Sequence, residues 1–490
     1  MQSTFLQYLS IVLIILFLVM LARKLRVAYP IVLVLGGLVI GFIPGVPMIE
    51  IDPEMIFLIF LPPLLYEAAW STSWKAFWKY RRIITSFAFI IVIVTSLVVA
   101  LVASSIIPGF TLALGFLLGG IVSPPDAVSA TTILRSVKAP KAVTTILEGE
   151  SLLNDASSLI IFRFALVAVD TGKFIFADAA VSFVSVIAMG TLIGLAIGFI
   201  YYLIHRYLPT TAHIDIVLTF TAPYIMYMVA EYFHFSGVLA VVSGGLFLAN
   251  QKDVIFDHRS RMQAGNVWST IGFVLNGFVF ILIGLELPLI IEQLGPGGLS
   301  NAIKYGLLIS LVLIITRLIC ALGASVFTRV MSRFVTTADN NPGWRGPLIF
   351  GWAGMRGVVS LAAALSIPVY LTDGSAFPQR NMILFITFTV ILVTLVFQGL
   401  TLPQLIKWVK APEARDMMPE EEQELLVREK LAIDIQDNHF ATGVLERINQ
   451  HRHVLKELNK KHGIDEEIIR KYNGLLDMEE EKIRIKYYNE

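Results

Sequence analysis

The chain has 490 residues, 56% of them apolar and 15% charged, with a formal net charge of +1 and a mean hydropathy of +0.74. A soluble domain of this length does not carry so apolar a composition. Near-neutral charge gives no footprint for nucleic acid, so the composition reads as a polytopic membrane protein in a lipid bilayer.

Windows of roughly 20 apolar residues predict about thirteen spans, beginning at about residues 4, 28, 54, 83, 109, 142, 174, 213, 236, 263, 303, 346 and 379. Basic residues cluster at Arg23/Lys24/Arg26, Lys75/Lys79/Arg81/Arg82, Arg135/Lys138/Lys141, Arg206, Lys252/Arg259/Arg261, Arg329/Arg333/Arg345 and Lys407/Lys410. The connections between them (Gly45 to Glu54, Pro108-Gly109, Glu231 to Gly237, Leu294 to Ser300) are acidic or nearly uncharged. This alternation fits an odd number of spans with the N-terminus outside and the C-terminus cytoplasmic.

The first span has no Lys or Arg before it and Arg23-Lys24 directly after it, so it reads as a retained helix. The third contains Phe60-Leu61-Pro62-Pro63-Leu64-Leu65-Tyr66-Glu67, a proline-disrupted helix with an acid past the break. Glu67 is expected as an additional ligand, as an entrance charge, or as an interfacial residue beside the basic loop that follows. The fifth carries Gly119-Gly120-Ile121-Val122-Ser123-Pro124-Pro125-Asp126, where consecutive prolines break the backbone ladder.

The sixth span contains Glu148-Gly149-Glu150-Ser151-Leu152-Leu153-Asn154-Asp155. An ionisable side chain at the bilayer centre costs roughly 2.5 to 3.5 kcal/mol on the insertion scale, so acids kept there point to ion or proton traffic. Ser151 and Asp155 share a helical face, and Glu150 and Asn154 form the adjacent stripe. Together they offer a hydroxyl, an amide and two carboxylates. Hard cations take oxygen ligands, and a carboxylate exchanges a bound cation for a proton. Glu148 is expected on the cytoplasmic side of this site, and Arg163, further outward, is expected to snorkel or to pair with an acid.

Glu286, in Gly284-Leu285-Glu286-Leu287-Pro288, reads as interfacial. Arg317, inside the eleventh span, is the expected counter-ion for one carboxylate. Cys320 is the only cysteine, which excludes an intrachain disulfide and disfavours a cysteine metal site. The twelfth span is broken by Gly351-Trp352-Ala353-Gly354-Met355-Arg356-Gly357. After Pro412 the composition turns charged, with Leu425, Leu426, Leu431 and Ile433 at helical spacing. That segment is expected to form a few cytoplasmic helices, either regulatory or a passive solvated appendage.

Irregular backbone at membrane depth is tolerated only where protein buries it or where it lines a wet cavity. Two interrupted helices in corresponding halves point to an inverted-repeat transporter with its site at the midplane. Half-helix N-termini carry partial positive charge and C-termini partial negative charge, and Asp126 and Arg356 have the signs to offset them. Asp126 is read either as a capping charge or as a cation ligand. Arg356 is read as structural, because a fixed cation repels a cationic substrate.

Phe60 to Glu67, Ser123 to Asp126, Gly149 to Asp155 and Gly354-Met355-Arg356-Gly357 follow one another in this order across residues 1–410. On these motifs the chain resembles the monovalent cation:proton antiporter family of bacterial sodium/proton antiporters and animal sodium/hydrogen exchangers. The resemblance implies an all-α fold in which residues 1–410 interleave a dimerisation and a core subdomain, with the fifth and twelfth helices as a crossing interrupted pair; residues 411–490 are read as the cytoplasmic helical segment. It implies that Asp155 is the shared ion and proton carboxylate with Asn154 beside it, and that Glu150 pairs with Arg317. Asp126, Ser151 and Glu67 would help enclose the ion, with Na+ at Asp155 and Asp126. Electrogenic relatives carry Asp at the Asn154 position, so Asn implies one-for-one, electroneutral exchange. Many relatives read Thr-Asp-Pro on the fifth helix where this chain has Pro125-Asp126-Ala127. Ligation by the missing hydroxyl then falls to the Pro125 carbonyl, Ser123 or Ser129.

The expected function is antiport of Na+ against H+ by alternating access in the plasma (inner) membrane, as a homodimer, with no cofactor beyond the transported ions. A K+/H+ or mixed Na+/K+ antiporter is the alternative of the same fold, since oxygen ligands serve both cations. A cation-sensing receptor signalling through the tail is the alternative from another class. An enzyme is not expected: His-Glu-x-x-His does not occur, and no Ser, His and acid group at one depth.

Overall fold

The computed structural model describes residues 2–43, 56–137, 139–172, 176–294, 298–331, 343–410, 420–437, 444–460 and 464–487. The Gly45 to Glu54 connection, residues 295–297 of the Leu294 to Ser300 connection, Lys138, Arg333 and the composition switch at Pro412 lie outside the described residues.

The helices in chain order are α1 (Gln2–Leu25), α2 (Tyr29–Gly41), α3 (Phe57–Ser71), α4 (Trp74–Ile106), and α5 in two halves (Leu112–Val122 and Ala127–Ser136). They continue as α6 (Lys141–Thr171), α7 (Phe176–Tyr207), α8 (Ala212–Tyr232), α9 (Gly237–Ile255), α10 (His258–Leu294) and α11 (Leu299–Met331). Last come α12 in two halves (Arg345–Trp352 and Val358–Leu365), α13 (Arg380–Val409), α14 (Glu420–Asp437), α15 (Val444–Lys460) and α16 (Glu466–Tyr487). Hydroxyl caps start several of them: Ser73 accepts from the Ala76 amide, Thr111 from Leu114 and Ser236 from Leu239. At the other end of α6, Gly172 takes the left-handed conformation at φ 66° that terminates a helix.

Among the described residues nine helices are long and apolar enough to cross a membrane, and Tyr29–Gly41 and Phe57–Ser71 are shorter apolar helices. With α1 and the paired halves of α12 they make up the thirteen spans expected. The connections separate onto two faces. On the face bearing α14 to α16, here the tail face, Arg206 donates to Val254 O at 3.3 Å and Arg470 to Ser71 O at 2.8 Å, and Lys141 pairs with Asp465 at 2.7 Å. On the far face, Gln379 donates to Pro108 O at 3.4 Å, Asn381 to Gln293 O at 2.8 Å and Thr372 to Asp170 at 2.9 Å. Among the described residues the basic connections at Lys75, Lys141, Arg206 and Arg259/Arg261 thus lie on the tail face, and Pro108-Gly109 and Gln293 on the far one.

The helices pack into two bodies. One comprises α1 to α3 with α7 to α10, the other α4 to α6 with α11 to α13. In the first body, buried Asp215 accepts from Ser260 at 2.7 Å and meets His205 at 2.8 Å, joining α7, α8 and α10 through a buried polar cluster. The α2 and α10 backbones also approach closely, where a Cβ on Gly284 would lie 2.3 Å from Val34 O. Small residues bring backbones together where lipid leaves no hydrophobic drive between helices.

Glu286 departs from expectation. Its side chain is buried at 7% exposure, because α10 continues through Pro288 to Leu294 instead of ending there. Neighbouring helices allow a transmembrane helix to absorb a proline, and the acid before it therefore stays inside the bundle.

Gly284→Ala is expected to lower stability by about 1 to 3 kcal/mol through overpacking against α2. The check is the melting temperature of purified protein in detergent; an unchanged midpoint contradicts the close α2 to α10 contact.

Candidate ion-binding site

The breaks in α5 and α12 lie against each other, with the Asp126 amide donating to Met355 O at 2.6 Å. Pro124 and Pro125 have no amide hydrogen to return to the preceding turn, so carbonyls there need other donors. Ser158 donates to Gly120 O at 2.7 Å. Arg356, 0% exposed, sends Nε to Val122 O at 2.9 Å, Nη2 to Ser123 O at 3.5 Å and Nη1 to Gly354 O. One guanidinium therefore closes the C-terminal ends of the first halves of both helices, where the dipole is negative.

Asp126 does the converse. Its carboxylate accepts from the Val128 amide at 3.1 Å, the Ser129 amide at 3.2 Å and the Ser129 hydroxyl at 2.6 Å. A Cβ on Gly357, directly before the second half of α12, would lie 2.7 Å from that carboxylate, so the acid faces both half-helix N-termini. The capping reading of Asp126 is realised, and the same residue also borders the cavity.

Glu150 and Arg317 form a buried two-pronged pair, with both N–H···O distances 2.8 Å and exposures of 0% and 3%. The guanidinium also lies 5.0 Å over the Phe350 ring. Arg317 passes where the side chain of residue 354 would be: a Cβ on Gly354 would come within 2.3 Å of its Cδ.

A cavity of about 80 Å³ lies between α3, the two breaks, α6 and α10. Its polar border is Asp126, Ser151, Asp155, Asn276 and Ser360, with Pro125 beside them. Asp155 is 7% exposed, and no hydrogen bond to it arises among the described residues. Ser151 accepts from the Ala127 amide at 3.3 Å. Asn154 does not border the cavity and gives its amide to Pro125 O at 3.2 Å, which occupies one acceptor position of that carbonyl. Ser123 is bonded to Ser96 at 2.9 Å and Ser129 donates to Asp126 at 2.6 Å, and neither hydroxyl borders the cavity.

Glu67 does not border the cavity. It lies over Gly272 of α10, where a Cβ would sit 3.1 Å from its carboxylate carbon, and within electrostatic reach of Arg135 and Glu148. Glu148 pairs with Arg135 at 2.9 Å, and Arg163 pairs with Glu231 at 2.5 Å. Asn276 and Ser360 were absent from the sequence expectations. Asn276 is a lone amide in the apolar run Phe273 to Phe280, the sort of isolated polar residue that deserved the same scrutiny as the acids. Its amide N–H goes to Gly272 O at 2.8 Å, leaving its oxygen as the group it can offer.

The arrangement is an oxygen site with two carboxylates of unlike status. Asp126 is committed to backbone and hydroxyl donors, whereas Asp155 is uncommitted. A family model described as sodium/hydrogen exchanger, transmembrane, matches residues 10–408. The chain belongs to the sodium/hydrogen exchanger family. It is 34% identical over 388 residues to the sodium, potassium, lithium and rubidium/H+ antiporter of Bacillus pumilus, covering 77% of this chain and 57% of that protein. The chain thus spans little more than half the length of that relative. It is 32% identical to the low-affinity Na+/H+ antiporter NhaS1 of Synechocystis, over 78% of this chain and 69% of that one. The fold matches the structure of the sodium proton antiporter MjNhaP1 from Methanocaldococcus jannaschii at a TM-score of 0.67 and 18% identity, covering 84% of this chain and 99% of the other. This exchanger-family fold therefore carries the two interrupted helices the sequence predicts.

Removing one partner of the buried pair strands the other. Arg317→Met is expected to cost about 3 to 5 kcal/mol, and the added change Glu150→Leu to recover most of it. Thermal unfolding of both variants checks this; a double variant no more stable than the single one contradicts the pairing.

Proposed function

We propose that this chain is a secondary antiporter exchanging Na+ for H+ one for one by alternating access, as a homodimer in the plasma (inner) membrane. One observation carries the reading: of two carboxylates on one buried cavity, Asp126 is held by three donors and Asp155 by none. A carboxylate open to either species binds a cation or a proton, never both, which is the minimum requirement for exchange. Asp155 is the carrier. Asp126, Ser151, Asn276, Ser360 and the second lone pair of the Pro125 carbonyl supply the surrounding oxygens, and Glu67 is a charge on the route from the tail face. Asn154, neutral and tied to Pro125, adds no second charge to be moved, which supports electroneutral exchange.

In this reading the body of α4 to α6 and α11 to α13 moves against the body of α1 to α3 and α7 to α10, and the latter carries the dimer contact. Residues 1–410 form the transport domain and 411–490 a separate cytoplasmic helical segment. The basic loops on the tail face support a cytoplasmic C-terminus and an external N-terminus. The Bacillus relative's name includes potassium, lithium and rubidium, so K+ exchange at the same site is the second reading.

The test is cation-driven proton flux in proteoliposomes, run with Na+, K+ and Li+. Asp155→Asn is expected to fall to the empty-vesicle level, and an imposed membrane potential to leave the wild-type equilibrium unchanged. Flux in Asp155→Asn equal to wild type sinks the carrier assignment, and a clear voltage effect sinks one-for-one exchange.

A further inference from the structure

The helices α14 to α16 close on an apolar core of their own, including Val427, Ile448, Leu455, Ile468 and Tyr472. What distinguishes them from a passive appendage is where the unit attaches. On the first body it grips the start of α10: Arg261 meets Asp477 at 2.5 Å, Arg259 meets Glu481 at 2.9 Å, and His258 meets Glu481 at 2.7 Å and Glu480 at 3.4 Å. The Arg259 guanidinium, with His258 beside it, holds the Glu481 carboxyl below its ordinary range. On the second body it grips the starts of α4 and α6. Lys141 pairs with Asp465 at 2.7 Å and Glu467 at 3.1 Å, and Lys75 donates to Asn459 O at 2.7 Å and Ile464 O at 3.1 Å.

Between these grips, α16 spans the α3 to α4 corner, where the chain passes from one body to the other. Arg470 donates to Ser71 O at 2.8 Å and Thr72 O at 3.0 Å, and Ser73 bonds Glu466. The grips are unequal. Arg261 and Asp477 are 16% and 6% exposed, whereas Lys141 is 47% exposed and its partners Asp465 and Glu467 are 16% and 78% exposed. Exposed pairs are weak and screened by salt, and partly buried ones less so. The attachment to α10 is therefore the fixed end and the attachment to α6 the releasable one.

We infer that α15 and α16 form a strap between the two bodies, which restrains the α6 body and slows exchange until the Lys141 contacts let go. The inference rests on the antiport reading above, because only relative movement of the two bodies gives a strap anything to restrain. Sliding α6 against α10 must stretch the Lys141 and Lys75 contacts while α16 stays on α10. A latch that gates such a step acts on turnover, not on the ion site.

The test uses the full chain in proteoliposomes. Asp465→Asn with Glu467→Gln removes the charges facing Lys141 and is expected to raise the maximal exchange rate about two- to fivefold with the apparent Na+ affinity unchanged. In a second variant, Lys141→Cys and Glu467→Cys with Cys320→Ala are joined by a reducible bismaleimide; exchange is expected to stop on crosslinking and return on reduction. An unchanged or lower rate in the first variant, or undiminished flux in the crosslinked second, overturns the strap. Absence of flux in wild type and in every variant removes the antiport reading and the strap with it.

Discussion

The architecture depends on two opposite charges at the crossing of α5 and α12. A broken helix leaves carbonyls without donors on one side of the break and amides without acceptors on the other, at a depth where water does not supply them freely. Arg356 serves the carbonyl ends of both helices, and Asp126 caps the amide end of the second half of α5 while lying against the start of the second half of α12. Gly357 lets the acid lie against the second half of α12, so the break in one helix is shaped by the break in the other.

The long helix α6 then assigns its polar face around that crossing. Ser151 accepts from the start of the second half of α5, Asn154 donates to Pro125, and Ser158 donates to Gly120. Glu150 is removed from ion chemistry by Arg317, which meets both of its oxygens. Glu150 does not border the cavity. After these commitments Asp155 is the acid of this face left facing the cavity. In the proposed reading, one exchanging carboxylate is selected from several by pairing or capping the others.

The spans were legible because their signal is one-dimensional, apolar windows of membrane length. The breaks were legible for the same reason, since Pro124-Pro125 and the Gly351 to Gly357 run cannot propagate a helix. The pairing of Glu150 with Arg317 came through the family resemblance, which the buried geometry matches. Asn276 and Ser360 were not legible, because a single polar residue in an apolar helix has no periodic partner and its depth is set by tertiary packing. Glu286, read as interfacial, is buried within the bundle because α10 runs on through Pro288 to Leu294. The attachment of α16 could not be foreseen either. Charged segments look alike in sequence, and which Asp meets which Lys is decided only when the helices fold against the body.

The central claim is that Asp155 is the group that gives up a proton when the cation arrives. Purified protein titrated with Na+ in weakly buffered detergent solution tests it without requiring transport. Wild type should release about one proton per Na+ bound at a pH where the site is protonated, and Asp155→Asn should release none. Equal proton release from the two proteins would contradict the account.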